Sequence, residues 1–308
     1  MRVLKCIRFI VSALIGLILF SVPASAQSNV VGWGSDLFGN LDVPVGSYAD
    51  ISAGSCVDVG IRSDGTLAAW GTDVAGVGVL NCPAGTFTSV STAPDSSWAV
   101  GLHVDGTLAA WGSVPGGPAD VPSGTYVAAA AGTHWGCALQ SDGTVVAWDN
   151  GGPLTVAGTF TAISADAGLR ADGTVQDFWD TYSPVGTFTS IAWGGDFDIG
   201  IRSDGSLAAW GYWLYVPPPS TLPSGGRFTQ ISAGPQSCWA ALEDDGVVAV
   251  GMDQTPYVEP LLGTFTSVSA GCTYVLAIQA SPVPEPSSLL ALVCGIAGMG
   301  GIILHRHW

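Results

Sequence analysis

Side chains able to do chemistry are sparse in this chain of 308 residues, and their spacing limits what they can do. Away from the two ends stand two histidines, His103 and His134, and five cysteines, Cys56, Cys82, Cys137, Cys238 and Cys272. No lysine accompanies them. A histidine beside a carboxylate or a nucleophile moves protons, and cysteines in an oxidising compartment pair as disulfides. His103 precedes a turn, in the slot that Arg62 and Arg202 fill elsewhere, and reads as a solvated strand residue. His134 opens the loop sequence His134-Trp-Gly-Cys137, where it is a ligand, a catalytic group or a plain surface residue. No H-E-x-x-H, C-x-x-C, G-x-S-x-G or Walker pattern occurs, and Gly76-Val-Gly78 lacks the third glycine of a dinucleotide loop because Asn81 stands there. The sequence implies neither an enzyme nor a metal or cofactor site.

The elements that hold these residues come from one unit repeated seven times. A Gly-x-aromatic element recurs at Gly46, Gly85, Gly124, Gly158, Gly186, Gly226 and Gly263, a mean spacing of about 36 residues. The copies run on through a Ser-Ala-Gly-like bend and an apolar strand, then, in all but the last, an Asp-Gly turn and a second strand that ends in Trp in most, in Phe178 in the fourth and in Val250 in the sixth. Asp64, Asp105, Asp142, Asp172, Asp204 and Asp245 each precede a glycine between apolar runs, which predicts type I′ hairpins. One carboxylate per turn lacks the converging oxygens that calcium needs. With 43 Gly, 19 Pro and only 10% charged residues, the composition also favours an all-β protein. The chain opens on a lone Trp-Gly strand, Val30 to Gly34, and its last copy ends at Tyr274 to Ala280 with no such strand after it. Pairing those two ends closes the copies into a seven-bladed β-propeller without exposed edges.

The termini read as addresses. Arg2, Lys5 and Arg8 precede an apolar run and Ala24-Ser-Ala26, which predicts a secretory signal over residues 1–26, cut by signal peptidase between Ala26 and Gln27. Residues 27–281 form the propeller. The rest, 282–308, joins Val283-Pro284-Glu285-Pro286 to an apolar stretch over 287–304 and then to Arg306 between two histidines. That order resembles the PEP-CTERM sorting signal of Gram-negative-type bacteria. The resemblance implies processing by an exosortase and an outer-surface or extracellular-matrix location, with membrane contact only through the tail before processing.

The repeat itself, in Val31-Gly-Trp-Gly34, Ile51-Ser-Ala-Gly54 and Ile61-Arg-Ser-Asp-Gly-Thr-Leu-Ala-Ala-Trp-Gly71, resembles the regulator of chromosome condensation superfamily. It looks closer to the short bacterial repeats, such as those of a secreted β-lactamase inhibitory propeller, and spans about Val30 to Gln279. The fourth copy is shortened. Chromatin and exchange activities do not carry over. Between the ends, four arginines face 23 acidic residues, a formal −19 against −16 for the whole chain, and such a surface repels nucleic acid.

Where the superfamily often places a histidine, this chain has Val57, Trp98, Trp135, Phe197, Cys238 or Trp239, and Tyr274. Trp98, His134, Trp135, Phe197, Trp239 and Tyr274 lie at or beside one repeat position. They either gather on one face to bind a protein or polysaccharide, or pack between blades. Cys56 and Cys272 fall in equivalent loops of the first and last copies, which predicts a disulfide across the closing seam. The leading expectation is an exported, non-enzymatic binding propeller. The alternatives are a polysaccharide-acting enzyme using His134 with Asp196 or Asp198, and a purely structural matrix protein.

Overall fold

The computed structural model describes residues 28–280 apart from 115–120, 150, 180–182, 196, 212–221, 224, 247, 252–257 and 262. The signal sequence, the cleavage site Ala26–Gln27 and the sorting tail from Val283 to Arg306 lie outside the described residues, as does Asp196.

The described chain is all-β, in seven antiparallel sheets of three or four strands. Sheet 1 holds Tyr48–Ala53, Val57–Arg62 and Leu67–Gly71. Sheet 2 holds Phe87–Thr92, Trp98–His103 and Leu108–Gly112, and sheet 3 Ala128–Ala131, Gly136–Leu139, Val145–Asp149 and Gly152–Val156. Sheet 4 is the smallest, with Ala162–Ile163, Ala167–Leu169 and Val175–Asp177. Sheet 5 holds Phe188–Trp193, Asp198–Arg202 and Leu207–Trp210; sheet 6 holds Phe228–Ala233, Trp239–Glu243, Val248–Gly251 and Val258–Leu261. In sheet 7, Phe265–Ala270 and Tyr274–Gln279 are joined by the N-terminal strand Val30–Gly34.

Each part of the repeat has a physical task. The aromatic of Gly-x-aromatic is buried at the head of the innermost strand, and its N–H donates to the glycine carbonyl of the preceding turn, as from Phe87 to Gly65 and from Phe188 to Gly173. Tyr48 has no turn before it. Asn29 substitutes, its Oδ1 accepting from the Tyr48 N–H at 2.8 Å while its Nδ2 donates to the Tyr48 carbonyl.

The turns depart from the expected type. Type I′ needs positive φ at both central residues, but only the glycines have it, as in Gly65 (φ 85°) and Gly205 (φ 88°). In the first of them Gly65 N–H donates to the Arg62 carbonyl and Arg62 N–H to the Thr66 carbonyl, the pattern of a three-residue loop with a glycine bulge. The aspartate then works through its side chain, Asp64 Oδ1 accepting from both the N–H and the hydroxyl of Thr66.

The sheets succeed one another in space, each touching the next, and the seventh returns to the first. Val30–Gly34 pairs with Tyr274–Gln279, Val30 opposite Ile278 and Gly34 opposite Tyr274. This architecture is consistent with a seven-bladed β-propeller. All seven innermost strands line one central cavity of about 270 Å3. Around it, serines of the bend bridge neighbouring sheets: Ser52 Oγ accepts from Thr92 N–H, Ser91 from Ala131, Ser232 from Ala270, and Ser269 from Ala53. Ala130 and Ala192 fill the same position in sheets 3 and 5 and offer no hydroxyl, while in sheet 4 Ser164 turns its hydroxyl to Asp166 and Ala167 of its own sheet.

Candidate functional site

The six residues singled out by the repeat separate by burial. Trp98, Phe197, Trp239 and Tyr274 are at most 1% exposed, which removes them from any recognition face. They are large apolar groups in the seams between sheets, where closing the ring excludes water. Trp98 Nε1 donates to the Gly132 carbonyl of the next sheet at 2.9 Å, and the Tyr274 hydroxyl reaches sheet 1. His134 and Trp135 stay at the surface.

The loop that carries them is a tight turn in which Gly132 N–H donates to the Trp135 carbonyl at 2.8 Å. The Trp135 ring folds back over Gly132, where a Cβ would meet it at 2.7 Å, so this glycine is required for the ring's position. Trp135 Nε1 donates to the Ala165 carbonyl of sheet 4 at 2.7 Å and fixes the indole. Two more tryptophans flank it: Trp193, at a ring-centroid distance of 5.2 Å, and Trp179, at 5.9 Å. Trp179 is 45% exposed, and its N–H is held by Asp177 Oδ1 at 2.8 Å. His134, Trp135, Asp149 and Trp179 line an open pocket of about 360 Å3. Trp193 also faces the central cavity, in a slot filled by Ala53, Ala131, Ala233 or Ala270 in other sheets. No signal in one copy announces this cluster; the large residue in a small-residue slot was its only trace.

One repeat position carries a set of carboxylates of which sequence reasoning singled out only Asp198. Asp58, Asp166 and Asp198 each stand six residues before the aspartate of an Asp-Gly turn, at Asp64, Asp172 and Asp204, so they share one repeat position. Asp58 is fully buried, yet Asn40 Nδ2 donates to its Oδ2 at 3.0 Å, Gly54 N–H to its Oδ1 at 3.3 Å, and the Tyr274 hydroxyl also donates to Oδ1. Burial raises its pKa to about 7 against the pull of those donors. Asp166 and Asp198 instead share a hydrogen bond with each other, with Asp177 nearby. Burial first, and neighbouring carboxylates second, lift Asp166 to about 7 and raise Asp198 as well. Asp198 Oδ1 has no hydrogen-bond partner. The pair therefore holds a proton near neutral pH.

Two other expectations are settled differently. Cys56 and Cys272 are not joined by a disulfide. The Cys56 loop is drawn toward sheet 2 by its N–H bond to Ser96 Oγ at 2.9 Å, while Cys272 lies beside the buried Cys238. Asp198, offered as a partner of His134 in catalysis, is buried against Asp166, whereas His134 is exposed. Among the described residues no three His, Cys, Asp or Glu are grouped to hold a metal ion, and no helix is long and apolar enough to cross a membrane.

No family model matches this chain, and no curated protein matches it in sequence. Solved structures do match in shape. Human WBSCR16 is 13% identical, covering 78% of this chain and 88% of its own, with a TM-score of 0.61. Prp20p of Saccharomyces cerevisiae, described with its binding to Gsp1p and histones, is 13% identical over 87% of this chain and 94% of its own, with a TM-score of 0.62. The CRINKLY WD40 ectodomain of the Arabidopsis thaliana receptor kinase ACR4 is 17% identical over 67% of this chain and 79% of its own, with a TM-score of 0.53. The fold is thus a β-propeller like that of the regulator of chromosome condensation proteins.

Proposed function

We propose that the protein is an exported, non-enzymatic recognition propeller that binds a protein or polysaccharide partner at the cell surface or in the extracellular matrix. The observation that carries this reading is the cluster of Trp135, Trp179 and Trp193 beside His134 and Asp149. Exposed indoles cost free energy in water, and a rigid group of them at a pocket mouth is what a binding site requires. Prp20p, of similar fold, binds macromolecules, which supports a partner-binding role while leaving its identity to this chain's own surface. The ring is completed by the strand shared between the two ends, residues 1–26 direct export, and the sorting tail delivers the chain to its site.

The test is binding of the full chain to an array of matrix polysaccharides and to surface proteins of the same cells, beside Trp135→Ala and Trp179→Ala. Binding lost in variants whose circular dichroism is unchanged supports the reading; binding indifferent to both variants overturns it. Sequencing of the exported chain should begin at Gln27.

A further inference from the structure

We infer that the Trp135–Trp179 pocket takes an amine-bearing sugar of a polysaccharide, with the sugar ring against indole and its ammonium group beside Asp149. The inference deepens the proposed function and rests on it. Three features of the pocket point to this ligand.

First, the apolar part of the site is flat and exposed. Trp179 is 45% exposed and meets Trp135 at an interplanar angle of 60°, so the two indoles form the walls of a corner. Its other wall-mate, Trp193, backs Trp135 from within at 5.2 Å. A pyranose offers an apolar C–H face of matching flatness. A lysine side chain would satisfy a carboxylate but leave most of that indole area in water. The pocket volume, about 360 Å3, also exceeds what a lone ammonium needs.

Second, the charge around the pocket has one sign. Asp149 lines it, and Asp177 holds the Trp179 backbone from behind. Three of the four arginines between the termini are engaged elsewhere, Arg170 over Phe160 and on Gln176, Arg202 over Phe188 and on Val185, and Arg62 on the Leu67 carbonyl, and the fourth, Arg227, stands beside the Gly205 turn of sheet 5. With no lysine between the ends, an incoming cation finds no competing positive side chain of its own kind in the propeller. Indole faces attract cations as well, through the ring quadrupole.

Third, the site is built in advance. Trp135 is fixed by its bond to the Ala165 carbonyl and by Gly132 beneath it, and Asp149 Oδ1 is oriented by the Gly151 N–H at 2.7 Å. A ligand that enters need not order these groups.

The experiment uses the full chain and four probes: a glucosamine tetramer, its N-acetylated counterpart, tetralysine and a neutral glucose tetramer, each followed by tryptophan fluorescence. The glucosamine tetramer is expected to bind, at least about tenfold more tightly than the acetylated form or tetralysine. Asp149→Asn, which keeps the Gly151 acceptor, should weaken it about fivefold. Trp179→Ala should weaken it about tenfold or more. Equal binding of the acetylated and free-amine sugars would overturn the cation preference while leaving the recognition pocket standing. Tighter binding of tetralysine would overturn the sugar in favour of a basic protein segment. If no probe binds and the array of the preceding section also stays blank for the wild type, the recognition reading itself fails, not merely its ligand.

Discussion

The arc from sheet 6 through sheet 7 to sheets 1, 2 and 3 and the arc from sheet 3 through sheets 4 and 5 to sheet 6 are built from one repeat, yet they are held together by different means. In the first arc a serine of each bend accepts an N–H from the next sheet, and the seam between sheets 7 and 1 is bridged as the others are, by Ser269 to Ala53. In the second, Ala130 and Ala192 lack the hydroxyl and Ser164 spends its own within sheet 4, so the chain of bridges is broken. There Trp135 and the Cys137 thiol, 3.1 Å from the Ser164 carbonyl, cross one seam instead. The contrast extends to the shared aspartate. Asp58 has Asn40 and Tyr274 as donors, whereas Asp166 meets Asp198 and must share a proton. The carefully satisfied arc holds the ring together. The under-satisfied arc carries the exposed tryptophans, as expected if binding surfaces are placed where structure can give way.

The sharpest way to break the contrast is at the satisfied aspartate. Tyr274→Phe removes a donor from a fully buried carboxyl and should lower unfolding free energy by about 2 kcal/mol in urea titrations at pH 7. Asp58→Asn in that background should recover part of it. An unchanged midpoint would mean that the seam does not depend on this network.

On the other arc a substitution works in the opposite direction. Asp58 in the first arc and Asp166 in the second both have folded pKa values of about 7, above the ordinary 3.8, so the folded state holds protons that the unfolded chain releases. Stability is therefore greatest below about pH 4 as far as these groups decide it, falls as pH rises to about 7, and stays reduced above that. Asp198→Asn should stabilise the protein by about 1 kcal/mol at pH 8 and flatten the fall, because Asp166 no longer faces a second carboxylate. A steeper pH dependence in this variant would refute the shared proton.

Smaller effects sharpen the same comparison. Ser269→Ala should cost about 1 kcal/mol by leaving the Ala53 N–H without its acceptor. Ala192→Ser, which introduces the missing hydroxyl opposite sheet 6, should add about 0.5 kcal/mol, read as a shift in thermal midpoint. Amide exchange should be faster in Ala162–Ile163 and Ala167–Leu169 than in Tyr274–Gln279, since sheet 4 has the shortest strands.

Much of the fold is legible in the sequence because it is written seven times. The Asp-Gly turns, the buried Gly-x-aromatic rings and the pairing of Val30–Gly34 with the last strand follow from the period and from the missing half-copy at each end. The turn type did not, since Asp-Gly suits both a type I′ turn and a glycine-bulge loop, and only the number of residues between the bonded strands decides. The site was half legible. His134 and Trp135 share one loop in the sequence, but an aromatic at one repeat position is the same letter whether it fills a seam, as Trp98 does, or faces water, as Trp135 does in part. That depends on the neighbouring copy: sheet 4 is shortened, and the space beside Trp135 is taken by Trp179 and Trp193. The three aspartates were visible as a spacing of six before the turn. Their divergence is a property of pairs of copies, and no single copy contains it.

The N-terminal strand also sets how the molecule bears load. Gln279 N–H donates to the Asn29 carbonyl at 2.8 Å, and Val30 lies opposite Ile278, so both chain ends leave the ring at one corner. A pull on the C-terminal tail, resisted by whatever grips the tryptophan pocket, would act on the last rung of this strand pair and open it rung by rung, as a zipper rather than in shear. Were the tail its anchor, as proposed, the propeller would yield first at its own fastening.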